Sequence, residues 1–223
     1  MKAVLVAGTY GWNGTSDPTN ATDCWWWPGS AFTQMLLANG VTLAGGAGRP
    51  FVWSTSLDGI PGDVRHLDWR AGGVGLYGYV VPVLCPDRRV APDETLVITH
   101  SHGLQVALHA FAEGLQGSLI SVAGPVRDDM MDVARAAKPN LRKWIQIHGD
   151  AHDGWQILGV DWVGWAVRCL QGKNGEIVRD HPLADENVAL AGIDHTTLLE
   201  DPTQFDRWPA WLTRVSASAV ASL

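Results

Sequence analysis

The chain has 223 residues, 46% hydrophobic and 17% charged, enough apolar material for the core of one globular domain and too much for a disordered segment. Its 16 Lys+Arg against 23 Asp+Glu give a net charge of -7 with no basic run, which argues against nucleic acid or anionic lipid as a partner. No stretch approaches the ~20 apolar residues of a membrane span, and the run Val4-Leu5-Val6-Ala7 is short for a signal peptide, so a soluble, cytoplasmic chain is expected.

The elements follow in chain order. Ala3 to Ala7 is a short apolar strand. Gly11 to Gly29 is loop-like and holds the triplet Trp25-Trp26-Trp27, of which at least one residue is expected to line a groove, interface or lid. Ser30 caps a helix through Phe32, Met35, Leu36 and Leu37 that stops at Asn39-Gly40. A strand is expected at Phe51 to Trp53, then a second irregular stretch from Ser56 to Asp93, rich in glycine at Gly72, Gly73, Gly75 and Gly78. Strands follow at Thr95–Thr99, Leu119–Ala123 and Trp144–Ile147. Between them lie helices over His102–Gly114 and Asp128–Ala137, and a last helix near Phe205–Val215 places Trp208, Trp211, Leu212 and Val215 on one face. The alternation predicts an α/β fold with a mostly parallel central sheet flanked by helices, in one domain over 1–223 with insertions near 11–29 and 56–93. Cys24, Cys85 and Cys169 have neither the number nor the spacing of a disulfide framework or zinc knuckle.

The chemistry concentrates at Thr99-His100-Ser101-His102-Gly103, where an apolar strand runs into a serine and a helix begins at once. A serine at such a turn presents its hydroxyl at the carboxyl end of the sheet, beside the first free N–H groups of the helix. The alternative at this point is a helix-capping serine. The strand ending His148-Gly149 is followed by Asp150-Ala151-His152-Asp153, and His195 lies in a turn before the final helix. Serine, aspartate, histidine is a triad order.

These segments resemble the α/β-hydrolase superfamily, in its lipase and esterase-like branch. The resemblance rests on Val4 to Gly11 as the early strand and oxyanion loop, Thr99 to Gly103 as the elbow, Ser121 to Arg127 with its Gly-Pro turn, and His195 to Phe205 as the histidine loop. It departs from the family at Ala7, where histidine is frequent, and at Thr99, where G-x-S-x-G has its first glycine. It implies a minimal form of the fold and a serine esterase needing no cofactor. Ser101 is then the nucleophile, His195 the base, Asp153 the favoured acid with Asp150 its alternative, and the N–H groups of Thr9 and His102 the oxyanion hole. Tyr10 and Trp26 are expected to contact a small-molecule or lipid-like ester. The natural substrate and the oligomeric state are not specified by these motifs.

Two other readings have residues behind them. His100-Ser101-His102 also resembles the start of the H-x-H-x-D-H motif of metallo-β-lactamase-like hydrolases, with His148, Asp150, His152 and Asp153 as further ligands, but Leu104-Gln105 stands where that motif needs Asp-His. The bland reading of these histidines is hydrogen-bonded turn residues lining the site. His109 is expected to be structural, and His66 and His181 fall in loops without evident partners. A non-catalytic binding protein on the same fold, using its tryptophan-rich loops, is the third reading.

Overall fold

A computed structural model describes residues 1–8, 24–44, 51, 66–84, 95–149 and 180–217. Strands β1 (Lys2–Val6), β2 (Thr42–Leu43), β3 (Thr95–His100), β4 (Gly117–Val122), β5 (Leu141–Gly149) and β6 (Glu186–Leu190) form one sheet in the order β2-β1-β3-β4-β5-β6. Every pairing is parallel. A parallel sheet needs helices on both faces, which explains why β3 and β4 are buried at every position and read as unbroken apolar runs.

On one face lie α1 (Ala31–Ala38), the short helix α5 (Thr197–Glu200) and α6 (Trp208–Ala217). Phe32, Leu36, Leu198, Trp208, Trp211, Leu212 and Val215 share a core there with Leu5, Leu96, Ile98 and Ile120 of the sheet. The rings of Phe32 and Trp208 meet edge-on at 4.7 Å. Ser30 caps α1 as expected, its hydroxyl accepting from Thr33 N at 3.2 Å while donating to Trp25 O at 2.7 Å. On the other face α2 (His66–Leu84), α3 (Gly103–Ala112) and α4 (Met131–Ala137) cover Val4, Val6, Val97 and Leu119.

Several expectations are corrected here. The stretch from 56 to 93 is not a loop throughout, because residues 66–84 form α2 and His66 opens it. Each glycine costs a helix interior ~1 kcal/mol relative to alanine, so local propensity spoke against this element. Packing offsets that cost: a Cβ on Gly73 would fall 2.4 Å from the His109 Cβ on α3, so only glycine lets the two helices approach this closely. The stretch 71–79 therefore lies across α3, on the helical layer, with Leu76 and Val80 in the core. Phe51 is buried coil rather than the start of a strand, and the sheet edge is instead Thr42–Leu43; residues 52 and 53 lie outside the described residues. β6 was not anticipated, since its alternating half-exposed pattern is that of an edge strand. The last helix begins at Trp208, with Phe205 in a 3-10 turn over Pro202–Arg207.

His181 is a further correction, for it has partners. It is buried with its ring 4.1 Å from that of Trp144, its Nδ1 accepts from Leu183 N at 3.2 Å, and its N–H donates to Asn187 Oδ1 at 2.8 Å. Burial, helped by the Lys138 charge, lowers its pKa from 6.5 to about 4. Between those values the unfolded chain holds a proton that the folded one refuses, so this contribution to stability is complete above pH 6.5 and declines as pH falls toward 4. We expect up to about 2 kcal/mol of stability to be lost on going from about pH 7 to about pH 5. Urea titrations at the two values check this: His181→Gln should narrow the difference, and an unchanged difference would contradict the assignment.

Candidate functional site

The carboxyl ends of β1, β3 and β4 meet around Ser101. β3 ends at His100, α3 begins at Gly103, and only Ser101 and His102 intervene. A reversal this sharp cannot be made in ordinary backbone conformations, and Ser101 adopts a left-handed φ of 51°. Its N–H donates to Val122 O at 3.0 Å, pinning the turn to the end of β4, while its carbonyl accepts the first helical bond from Leu104 N at 3.1 Å. The side chain is buried.

Two glycines make room for this turn. A Cβ on Gly8 would lie 2.6 Å from Ser101 Cβ and 3.3 Å from its Oγ, so the chain leaving β1 passes directly against the serine. A Cβ on Gly103 would lie 2.5 Å from Val6 O and 2.8 Å from Ala7 O, so the helix start is pressed on the end of β1. The glycine after the serine thus serves helix-to-strand contact, and the glycine before it can be Thr99 because that residue is an ordinary buried strand position. The helix-capping alternative fails on geometry: the N-cap position is His102, and no side chain caps α3.

His195 reaches the same region from the other end of the sheet. After β6 the chain turns at Gly192 (φ 71°), buries Ile193, and enters α5 at Thr197. Asp194 organises this turn, its Oδ1 accepting from Thr196 N at 3.1 Å, Thr197 N at 2.9 Å and the Thr197 hydroxyl. The Thr197 hydroxyl bond, with the backbone bonds and His195 behind it, holds the Asp194 carboxyl below its usual pKa. His100 Nε2 then donates to His195 O at 3.0 Å, and the two rings meet at 4.6 Å. The residue before the serine therefore touches the candidate base.

At the end of β5, His148 is buried, with Nε2 2.8 Å from Asp180 Oδ1 and Nδ1 3.0 Å from Gly149 O. Asp180 is a residue the sequence reading missed, since nothing local marks a partner 32 positions from His148. Asp150, His152, Asp153, Thr9 and Tyr10 lie outside the described residues, whereas the backbone N–H of His102 stands at the start of α3.

Trp26 is buried with Trp25 in the core that includes Ala7 and Leu198, and its ring meets that of half-buried Trp27 at 5.6 Å. The irregular turn lets two neighbouring tryptophans point inward, which a strand or helix would not. Among the described residues no three His, Cys, Asp or Glu side chains gather as a metal set. No helix among them is long and apolar enough to cross a membrane.

No protein-family model matches the sequence, and no curated protein does. Among solved structures, the chain is similar to an uncharacterized protein from Bacillus cereus, at 15% identity and a TM-score of 0.57. That alignment covers 97% of this chain and 59% of the other, so the chain spans about three-fifths of its length. It is also aligned with TT1662 from Thermus thermophilus (15% identity, TM-score 0.47, 96% of this chain and 88% of that one) and with esterase PE8 (16%, 0.48, 96% and 92%). At such identities the likeness is one of fold. What the structure shows is an α/β fold, an all-parallel sheet flanked by helices, with a left-handed serine between β3 and α3.

The tight contact at Gly103 has a measurable consequence. Gly103→Ala forces a methyl group into the Val6 and Ala7 carbonyls, which are backbone and cannot swing aside. We expect a loss of about 2 kcal/mol or more in chemical denaturation. A variant as stable as the parent would contradict the packing described.

Proposed function

We propose that the protein is a serine hydrolase that cleaves carboxylic esters through an acyl-enzyme. The observation that carries this reading is the left-handed backbone of Ser101 at the junction of β3 and α3, held against Gly8. Strain at a non-glycine residue persists only where the surroundings over-determine it, and here it sets a serine at the carboxyl edge of a parallel sheet beside a helix start. His195, brought to the same edge by the turn after β6, is the general base.

In this mechanism Ser101 Oγ attacks the ester carbonyl carbon as His195 takes the hydroxyl proton. The tetrahedral oxyanion is stabilised by the His102 N–H and, by the family resemblance, that of Thr9. The carbon–oxygen bond to the alcohol then breaks, and the alcohol leaves with the proton from His195. Water attacks the acyl-enzyme by the same steps, giving the carboxylic acid and restoring Ser101. Asp153, or Asp150 in its place, orients His195 through Nδ1–H; both follow β5 in the sequence, where the family resemblance puts the acid. An ester fits better than an amide because its leaving group is better, and Tyr10 remains a candidate for the substrate wall. Trp26, also expected to contact the ester, is buried in the core.

A metal mechanism is less well supported, because His100 Nε2 is engaged by the His195 carbonyl. A p-nitrophenyl ester series from acetate to palmitate tests catalysis and sizes the pocket together. Ser101→Ala should fold and lose roughly 10⁴- to 10⁶-fold in kcat. Unchanged turnover, or activity abolished by a chelator, would overturn the serine mechanism.

The acid is assigned by a paired substitution. Asp153→Asn should lower kcat by about 10⁴-fold, the scale of the corresponding loss in a serine protease triad, while Asp150→Asn acts mainly on stability. The opposite pattern would exchange their roles.

A further inference from the structure

The mechanism above leaves His100 unused, although it is buried between three parts of the site. It ends β3, one residue before the nucleophile. Its Nε2 lies 3.0 Å from His195 O, and its ring meets His195 edge-on at 4.6 Å and Trp25 nearly perpendicularly at 6.2 Å. A backbone carbonyl only accepts, so Nε2 carries the hydrogen of this bond. The contact spans 95 positions in sequence and joins the strand that carries Ser101 to the turn that carries His195.

A general base works only at hydrogen-bond distance from the proton it takes, and a displacement of about 1 Å costs on the order of 10²-fold in rate. Asp194 fixes the His195 turn locally, through bonds to residues two and three positions on, but those bonds move with the turn. The His100 bond is different in kind, because it ties that turn to the nucleophile's own strand. Trp25 backs the imidazole from the core, and Trp25 is itself tied to the cap of α1 through its carbonyl.

We propose that His100 is a positioning residue: its Nε2–H fixes the His195 backbone relative to Ser101 and so sets the distance over which the proton passes. This rests on the serine-hydrolase reading. It assigns His100 neither a proton transfer nor a contact with substrate.

Two substitutions separate the hydrogen bond from the shape of the ring. His100→Phe keeps an aromatic ring between Trp25 and His195 and removes the donor. His100→Gln gives up the ring but places an amide N–H near the position of Nε2. The expected result, with p-nitrophenyl butyrate on the purified chain, is a fall in kcat of about 10- to 100-fold for His100→Phe with KM within about 3-fold of the parent. His100→Gln should return kcat to within about 3-fold of the parent. Thermal unfolding of each variant confirms that folded protein is compared. A His100→Phe enzyme with parental kcat overturns the proposal, as does a folded His100→Gln enzyme as slow as the phenylalanine variant. If His100→Phe does not fold, the glutamine variant decides alone: parental kcat supports the role and a large loss overturns it. Failure of the parent protein to hydrolyse any ester in the series would instead strike the functional reading itself.

Discussion

The left-handed backbone at Ser101 is the constraint on which the rest of the site depends. A side chain with a Cβ pays of order 1 kcal/mol or more to sit there, so the conformation must be imposed from outside. Three contacts impose it. The Ser101 N–H is held by Val122 O of β4, the helix that follows is seated on the carbonyls of Val6 and Ala7, and the chain at Gly8 passes so close to the serine that a Cβ there would clash with it. The first comes from β4 and the other two from the end of β1, and a parallel sheet in the order β1-β3-β4 is what brings them to the two sides of the serine.

The neighbouring turn after β4 is built in the same way. Ala123 also has a left-handed φ, of 50°, and its N–H donates to Ile147 O at 2.8 Å. Around it lies a buried polar network. Gln105 Nε2 on α3 donates to Pro125 O at 2.8 Å, Gln146 Nε2 on β5 donates to Gly124 O at 2.8 Å, and Trp144 Nε1 donates to Ser121 Oγ at 2.9 Å. The amide N–H groups of Gln105 and Gln146 thereby satisfy backbone carbonyls that would otherwise be stranded at the end of the sheet. The network anchors the carbonyls of the Gly124-Pro125 turn to α3 and β5.

What the sequence disclosed and what it hid follow from where each element sits. β3, β4 and the centre of β5 were legible because strands covered on both faces become apolar runs. The elbow was legible because the Ser101-His102-Gly103 junction leaves no residues for a loop. β6 was hidden because Glu186-Asn187-Val188-Ala189-Leu190 lies at the edge of the described sheet, with no position fully buried and exposed residues alternating with half-buried ones. α2 was hidden because its glycines oppose helix formation locally, and the reason for Gly73 is the close approach of α3, which no local pattern reveals. His181 and Asp180 were hidden for a related reason: their partners Trp144 and His148 lie on β5, more than 30 residues away in the chain. The inward turn of Trp25 and Trp26 depends on a cap hydrogen bond from Ser30, which spacing alone does not reveal.

The central claim is that this geometry makes Ser101 a nucleophile, and covalent capture tests it most directly. Incubation of the folded protein with a fluorophosphonate, followed by peptide mass spectrometry, should place a single phosphonyl adduct on Ser101 and none on a heat-denatured control. An unmodified Ser101 in folded protein, or an adduct carried equally by the denatured chain, would contradict the account.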